Sequence, residues 1–281
     1  MLSEAFLHRL DALSLAMRGR AQGGAGGNRK SRQLGSSAEF SDYREYIPGD
    51  DIRRLDWNAL ARFDKLFVKL FMEEQESVVT VLLDGSKSMA EKWETAGKAA
   101  ETAAYLALTG GDRVQIICLR DGGNRRSDLL SGRSAYAAVT AFLGSCTPDG
   151  AGDPEPCIQK VTGLRKGLCF VISDCYTDNP GRMLDALRYR RQECSLIQVL
   201  SAEELNPGLD GAFRLTDCES GDALDLIVDD TARGAYRRTL DAFLNEVRKA
   251  CHSREIPYLL LNGGEPFEET VLPQMSRSGI I

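Results

Sequence analysis

The residues with the clearest chemical potential stand where two apolar runs end. VVTVLLD closes on Asp84 and LCFVISD closes on Asp174. Directly after the first comes Asp84-Gly85-Ser86-Lys87-Ser88, with side-chain oxygens at positions i, i+2 and i+4 of a tight loop. Oxygens so spaced can converge on one centre. A carboxylate with two hydroxyls suits a hard cation such as Mg²⁺, which takes oxygen ligands and keeps several waters. Asp84 and Ser86 are equally suited to capping a helix, because their oxygens accept from the free N–H groups of a first turn. Asp174 has the same two readings. The short motif alone favours capping, and a second strand-terminal aspartate shifts weight toward a cation.

Enzymatic readings find less material. No G-x-S-x-G elbow occurs, and His8 and His252 fall in helical stretches with no obvious nucleophile beside them. No G-x-x-x-x-G-K-[ST] occurs, so nucleotide hydrolysis by this chain is not expected. The glycine-rich QGGAGGN lacks a preceding strand, which removes a dinucleotide-binding reading. Mg²⁺-dependent phosphoryl transfer or hydrolysis is the remaining enzymatic alternative. Catalytic Mg²⁺ sites use more carboxylates and a general base. Here hydroxyls outnumber carboxylates in the primary loop, which leaves a cation short of negative charge and open to a partner's carboxylate. A protein-binding module, not an enzyme, is the expectation.

The elements that position these residues alternate. Apolar strands are predicted at Ser77–Leu83, Arg113–Leu119, Leu168–Ser173, Ser195–Leu200 and Pro257–Leu261. Helices are predicted at Trp93–Leu108, Ser134–Leu143, Pro156–Leu164, Arg182–Arg191 and Thr231–Cys251, with a closing helix through about Ser276. Such alternation implies an α/β fold with a mostly parallel, doubly wound sheet, whose functional residues gather at the carboxyl ends of the strands. Residues 213–229, with Gly221-Asp222 between two alternating runs, read as an inserted β-hairpin.

Upstream, residues 1–18 carry Leu2, Phe6, Leu7, Leu10 and Leu13 at helical spacing and have no basic region ahead of an apolar run. They predict an amphipathic helix, not a signal peptide. Residues 19–37 are glycine-rich and basic, and read as a mobile loop whose Arg29, Lys30 and Arg32 are placed to meet an acidic partner or to be a solvated linker. Residues 38–76 interleave aromatic and charged side chains, with a turn at Pro48-Gly49, a short helix near Leu55–Ala61 and a strand at Leu66–Met72. Arg44, Asp50, Asp51, Arg53, Asp56, Trp57 and Arg62 fit a salt-bridged surface and a partner-docking surface comparably well. The expected organisation is a distinct N-terminal region, 1–76, followed by the α/β domain at 77–281.

Composition sets the class. The chain has 281 residues, 43% hydrophobic and 27% charged, which is ordinary for a packed globular protein. A net charge of −6 argues against nucleic acid as the main partner. No apolar run reaches the eighteen or so residues of a membrane-spanning helix, and a cytoplasmic location is expected. The eight cysteines form no C-x-x-C pair, so buried reduced thiols are expected in place of a disulfide framework or a zinc site.

The Asp-x-Ser-x-Ser loop, with a later strand ending in Ser-Asp, resembles the metal ion-dependent adhesion site of von Willebrand factor type A domains. The segment EFSDYREYIPGDDIRRLDWNALARFDKLFVKLFMEEQE is more specific. Through Glu39, Phe40, Arg44, Tyr46, Pro48, Gly49, Asp50, Asp51, Arg53, Asp56, Trp57, Ala61, Arg62, Lys69 and Glu74 it resembles the signature of the bacterial DUF58 family. The resemblance extends over nearly the whole chain and implies a type A-like fold. It also implies an association with MoxR-type AAA+ ATPases, in which the type A-like protein serves as an adaptor or co-chaperone for the ATPase or its client. It implies a metal set of Asp84, Ser86, Ser88 and, directly or through water, Asp174. Type A sites also take a threonine from an intervening loop, which in this family reads Gly-Gly-Thr-Asp. Here it reads Gly150-Ala151-Gly152-Asp153. Gly152 offers no side-chain oxygen, Asp153 lies next to it, and Thr147 lies five residues earlier. Mg²⁺ binding is therefore expected to be weak or dependent on a partner.

Overall fold

A computed structural model describes residues 1–23, 34–63, 65–72, 78–150, 153–217 and 221–281. In chain order the elements begin with α1 (Glu4–Gly23), β1 (Leu34–Glu45), α2 (Trp57–Phe63), β2 (Phe67–Met72), β3 (Val78–Asp84), α3 (Trp93–Gly110) and β4 (Arg113–Leu119). They continue with β5 (Arg125–Arg126), β6 (Leu130–Ser131), α4 (Tyr136–Gly144), α5 (Pro154–Gln159), β7 (Gly167–Ser173), α6 (Pro180–Tyr189) and β8 (Gln192–Leu200). The chain closes with α7 (Ala202–Leu205), β9 (Gly211–Thr216), β10 (Ala223–Val228), α8 (Asp230–His252), β11 (Tyr258–Asn262) and α9 (Phe267–Arg277).

The chain divides into two compact units, one of residues 1–19 and 78–281 and the other of residues 20–77. In the larger unit the described strands form a seven-stranded sheet in the order β11-β8-β7-β3-β4-β5, with β6 also on β4. The five long strands are parallel, while β5 and β6 pair antiparallel with β4 at one edge. Ordered by sequence from the β5 edge, the strands run third, second, first, fourth, fifth, sixth. This is the doubly wound, mostly parallel type A-like architecture that the resemblance implies.

Strand alternation divides the core. Val79, Val81 and Leu83 of β3 face one layer, and Leu82 faces the other. The first layer is closed by the alanines of α3, whose small side chains let the helix lie close on the sheet, and by Val139 of α4 and Val271 of α9. The second is closed by Ile158 of α5, Met183, Leu184 and Leu187 of α6, and Val247 of α8. The seven described cysteines are all buried and free; Cys218 lies outside the described residues.

Residues 1–19, which include most of α1, are part of this unit. Leu2, Phe6 and Leu10 are buried in the first layer, and Phe6 meets Phe267 of α9 edge-on at 6.2 Å. Asp11 accepts from Tyr105 Oη of α3 at 2.8 Å and pairs with Arg133 at 2.6 Å. The boundary expected at 76/77 therefore separates the units only at its carboxyl side, because residues 1–19 pack with the sheet.

In the smaller unit β1 and β2 form an antiparallel ribbon from Leu34↔Met72 to Glu45↔Phe67. Of the mobile loop expected at 19–37, residues 19–23 are helical and 34–37 lie in β1, while 24–33 lie outside the described residues. α1 continues to Gly23, and β1 begins at Leu34, which pairs with Met72 before the register shifts and regular pairing resumes at Glu39. Arg29, Lys30, Arg32 and Glu74 lie outside the described residues.

Candidate functional site

β3 and β7 lie side by side and parallel, with Leu83 opposite Ile172, so Asp84 and Asp174 emerge together at the carboxyl edge of the sheet. Both are buried, at 1% exposure. Asp84 Oδ1 accepts from the Ser86 amide at 3.0 Å, and Oδ2 accepts from Ser173 Oγ at 2.6 Å. Burial pushes the Asp84 carboxyl up to about 6, with the neighbouring Asp174 charge adding to the rise and the Ser173 and Ser86 donors opposing it. Ser86 Oγ and Ser88 Oγ lie 2.9 Å apart and share a hydrogen bond. The three expected primary residues lie together, and Asp84 closes a local turn onto the Ser86 amide; neither Asp84 nor Ser86 caps the alanine-rich helix α3, whose first turn follows Lys92.

The intervening loop also reaches this place. Ser86 bridges Gly150 in parallel fashion, Lys87 N donates to Gly150 O at 2.8 Å, and Gly150 N donates to Gly85 O at 2.9 Å. Gly152, at the threonine position, lies outside the described residues. Asp153 is used otherwise: its Oδ1 accepts from the Glu155 amide at 2.7 Å as the N-cap of α5. A proline at the first helical position makes that cap a natural helix start. Thr147 bonds to Asp149 at 3.0 Å.

Asp174 has a partner that the sequence reading missed. Lys92, with no exposed surface, places its Nζ 3.0 Å from Asp174 Oδ2 and 2.5 Å from Glu204 Oε1. The contact to Oδ2 is an ion pair and not an aligned hydrogen bond, since that oxygen accepts none. The same ammonium lies 4.8 Å from the Tyr176 ring centroid, a cation–π arrangement. Asp174 Oδ1 accepts from the Tyr176 amide at 3.1 Å. Between them Cys175 has a φ of 64°, a conformation L-residues seldom adopt outside constrained sites. Gln198 of β8 fixes the Asp174 carbonyl at 2.8 Å and is itself held by Tyr258 at 2.7 Å. The only sequence signal for Lys92 was a lysine at the start of the alanine-rich helix, where a cation is unfavourable to the helix dipole.

The donor set can now be weighed against a divalent cation. Two converging hydroxyls suit one, but the second aspartate already faces an ammonium. Unit charges about 4 Å apart repel by about 4 kcal/mol at an effective dielectric of 20, and a dication doubles this. Of the metal set that the resemblance implies, Asp84, Ser86 and Ser88 lie together, whereas Asp153 caps α5 and Asp174 is paired with Lys92.

In the smaller unit the charged residues of the signature fold it locally. Arg44 pairs with Asp50 at 2.7 Å, and Asp50 also accepts from the Ile47 amide across the Pro48-Gly49 turn. Asp51 caps the short 3₁₀ turn Ile52–Arg54 through the Arg53 amide. Asp56 is buried, accepts from Tyr43 Oη at 2.8 Å and from the Asn58 and Ala59 amides, and pairs with Lys69 at 3.2 Å. The Tyr43 hydroxyl, chief among these donors, holds its carboxyl down to about 2. Tyr43, Asp56, Arg62, Phe63 and Phe67 line a shallow concavity of about 370 Å³. Trp57, 64% exposed, and Arg53 and Arg62 project from this segment.

The sheet order, with its antiparallel third strand and the Asp-x-Ser-x-Ser loop at the carboxyl edge, defines a von Willebrand factor type A-like protein. The chain belongs to the family described as "Protein of unknown function DUF58", whose profile matches residues 42–243. It is 25% identical over 264 residues to uncharacterized protein Rv1480 of Mycobacterium tuberculosis, covering 90% of this chain and 83% of the relative. The same figures hold for uncharacterized protein Mb1516 of Mycobacterium bovis. Among solved structures it is similar to BatB from Bacteroides thetaiotaomicron, at 14% identity and a TM-score of 0.42, covering 73% of this chain and 100% of that one. Manganese-loaded Plasmodium vivax TRAP protein matches at 13% identity and a TM-score of 0.35, covering 69% of this chain and 73% of that one.

Proposed function

We propose that the protein is a non-enzymatic, cytoplasmic adaptor or co-chaperone that binds a MoxR-type AAA+ ATPase or its client. The observation that carries this reading is the surface of the signature segment. Tyr43, Ile47, Ile52, Trp57 and Phe63 are all exposed within about twenty residues. Around them Arg44–Asp50 and Asp56–Tyr43–Lys69 lock the backbone. Large apolar side chains held rigidly and rimmed by charge are the anatomy of a protein interface, in which tryptophan and arginine carry much of the energy.

The chemistry at the sheet edge supports binding over turnover. The Ser86 and Ser88 hydroxyls bond to each other. His8 is exposed on α1, and His252 is exposed at the end of α8, the end that leads into the amino edge of the sheet. Neither supplies a base to those hydroxyls. Within the described residues no helix is long and apolar enough to cross a membrane.

Affinity capture from native cells tests the proposal. Tagged wild-type protein is expected to recover an AAA+ ATPase, and Trp57→Ala to recover markedly less. Turnover of phosphoesters or peptides at enzyme-like rates, lost in Asp84→Ala, would establish the enzymatic alternative instead.

A further inference from the structure

The carboxyl edge of the sheet is the place where a type A-like fold is expected to recruit a divalent cation, and here it contains a cation of its own. We infer that the Lys92 ammonium is the resident positive charge of this edge, so that the site is assembled without a divalent metal.

The inference rests on how completely the ammonium is enclosed. Three groups surround it: Glu204 Oε1, which accepts its hydrogen bond at 2.5 Å, Asp174 Oδ2, an ion-pair contact at 3.0 Å, and the face of the Tyr176 ring. Each group is fixed by further contacts. Glu204 is part of a capping box, its Oε2 accepting from the Ser201 amide at 2.7 Å while Ser201 Oγ accepts from the Glu204 amide at 3.1 Å. Its carbonyl accepts from Tyr236 Oη at 2.7 Å. Tyr176 Oη donates to Glu204 Oε1 at 3.0 Å. The strands β3, β7 and β8 thus each send a group from the segment that follows them: Lys92, Asp174 with Tyr176, and Glu204. Such convergence at a sheet's carboxyl edge is where doubly wound folds build their sites. A buried carboxylate needs a paired cation or a metal, and Lys92 meets that need for Asp174 permanently. An adhesion surface whose charge is covalently supplied does not vary with metal concentration.

The test uses the isolated full chain and Mg²⁺ or Mn²⁺ alone, so its outcome does not depend on the docking proposal. Wild-type protein is expected to show no saturable change in melting temperature with either ion beyond a NaCl control of equal ionic strength, and to leave the electron paramagnetic resonance signal of free Mn²⁺ undiminished. Lys92→Arg keeps a cation and is expected to behave the same way. Lys92→Met empties the cation position beside Asp174 and Glu204. It is expected to melt lower and to recover with Mn²⁺, by about 5–10 °C when the ion exceeds its Kd about 100-fold, and Asp174→Asn in that background is expected to abolish the recovery. Should Lys92→Met fail to fold, the wild-type and Lys92→Arg measurements still decide. Stoichiometric Mn²⁺ binding by the wild type that is lost in Asp84→Asn or Asp174→Asn would overturn the inference, as would a well-folded Lys92→Met whose stability is indifferent to Mn²⁺.

Discussion

At the scale of single residues, Gly85, in the loop between Asp84 and Ser86, meets a tight steric demand at the sheet's carboxyl edge. A Cβ there would lie 2.8 Å from Cys118 Sγ and 2.9 Å from the Leu119 carbonyl, and neither neighbour is the free end of a flexible side chain. Gly85→Ala is therefore expected to destabilise by about 1–3 kcal/mol, the usual cost of overpacking, measured as a lower urea midpoint with an unchanged m-value. Asp56 offers a second test. Its carboxyl is held down to about 2, chiefly by Tyr43. A depressed folded-state value stabilises above the unfolded value near 4, and the contribution is lost as pH falls from about 4 through about 2. The Asp56 carboxyl resonance should titrate near 2 in the wild type and move upward in Tyr43→Phe. A wild-type midpoint near 4 would remove Tyr43 as the cause.

At the scale of elements, α1 is the informative one. Its amphipathic spacing was plain in the sequence, but the surface it covers was not, because periodicity identifies a buried face without naming what buries it. Phe6 is buried in the same layer as Phe267, which lies more than two hundred residues away. Phe6→Ala is expected to cost about 3–5 kcal/mol of the larger unit's stability. A change below 1 kcal/mol in thermal or urea unfolding would mean that the helix is a dispensable appendage. The parallel strands were legible for the opposite reason: fully buried strands such as β3 are continuous apolar runs that need no partner to be recognised. β1 was not read as a strand, since its residues mix glycine, serine and charge and its extended form depends on the ladder with β2. The two-residue β5 and β6 were too short to leave a pattern.

At the scale of the whole molecule, the sheet edge was half legible. Asp84, Ser86, Ser88 and Asp174 could be placed because strand ends and i, i+2, i+4 spacing are local signals. Lys92 and Glu204, 112 residues apart, could not, because their pairing exists only once β3, β7 and β8 are aligned. The signature segment showed the converse. Its density of charge was evident in sequence, while the structure divides those residues into ones that fold the unit, such as Asp50 and Asp56, and ones that project, such as Trp57 and Arg62. The central claim is that the projecting set binds an AAA+ partner. Its most direct test is a binding titration between the purified protein and the MoxR-type ATPase of the same organism, with the ATPase held in its nucleotide-bound form. Saturable binding, weakened about tenfold or more in a folded Trp57→Ala variant as expected of an interface tryptophan, is the predicted result. No binding between two folded proteins, or binding indifferent to both Trp57→Ala and Arg62→Ala, would contradict it.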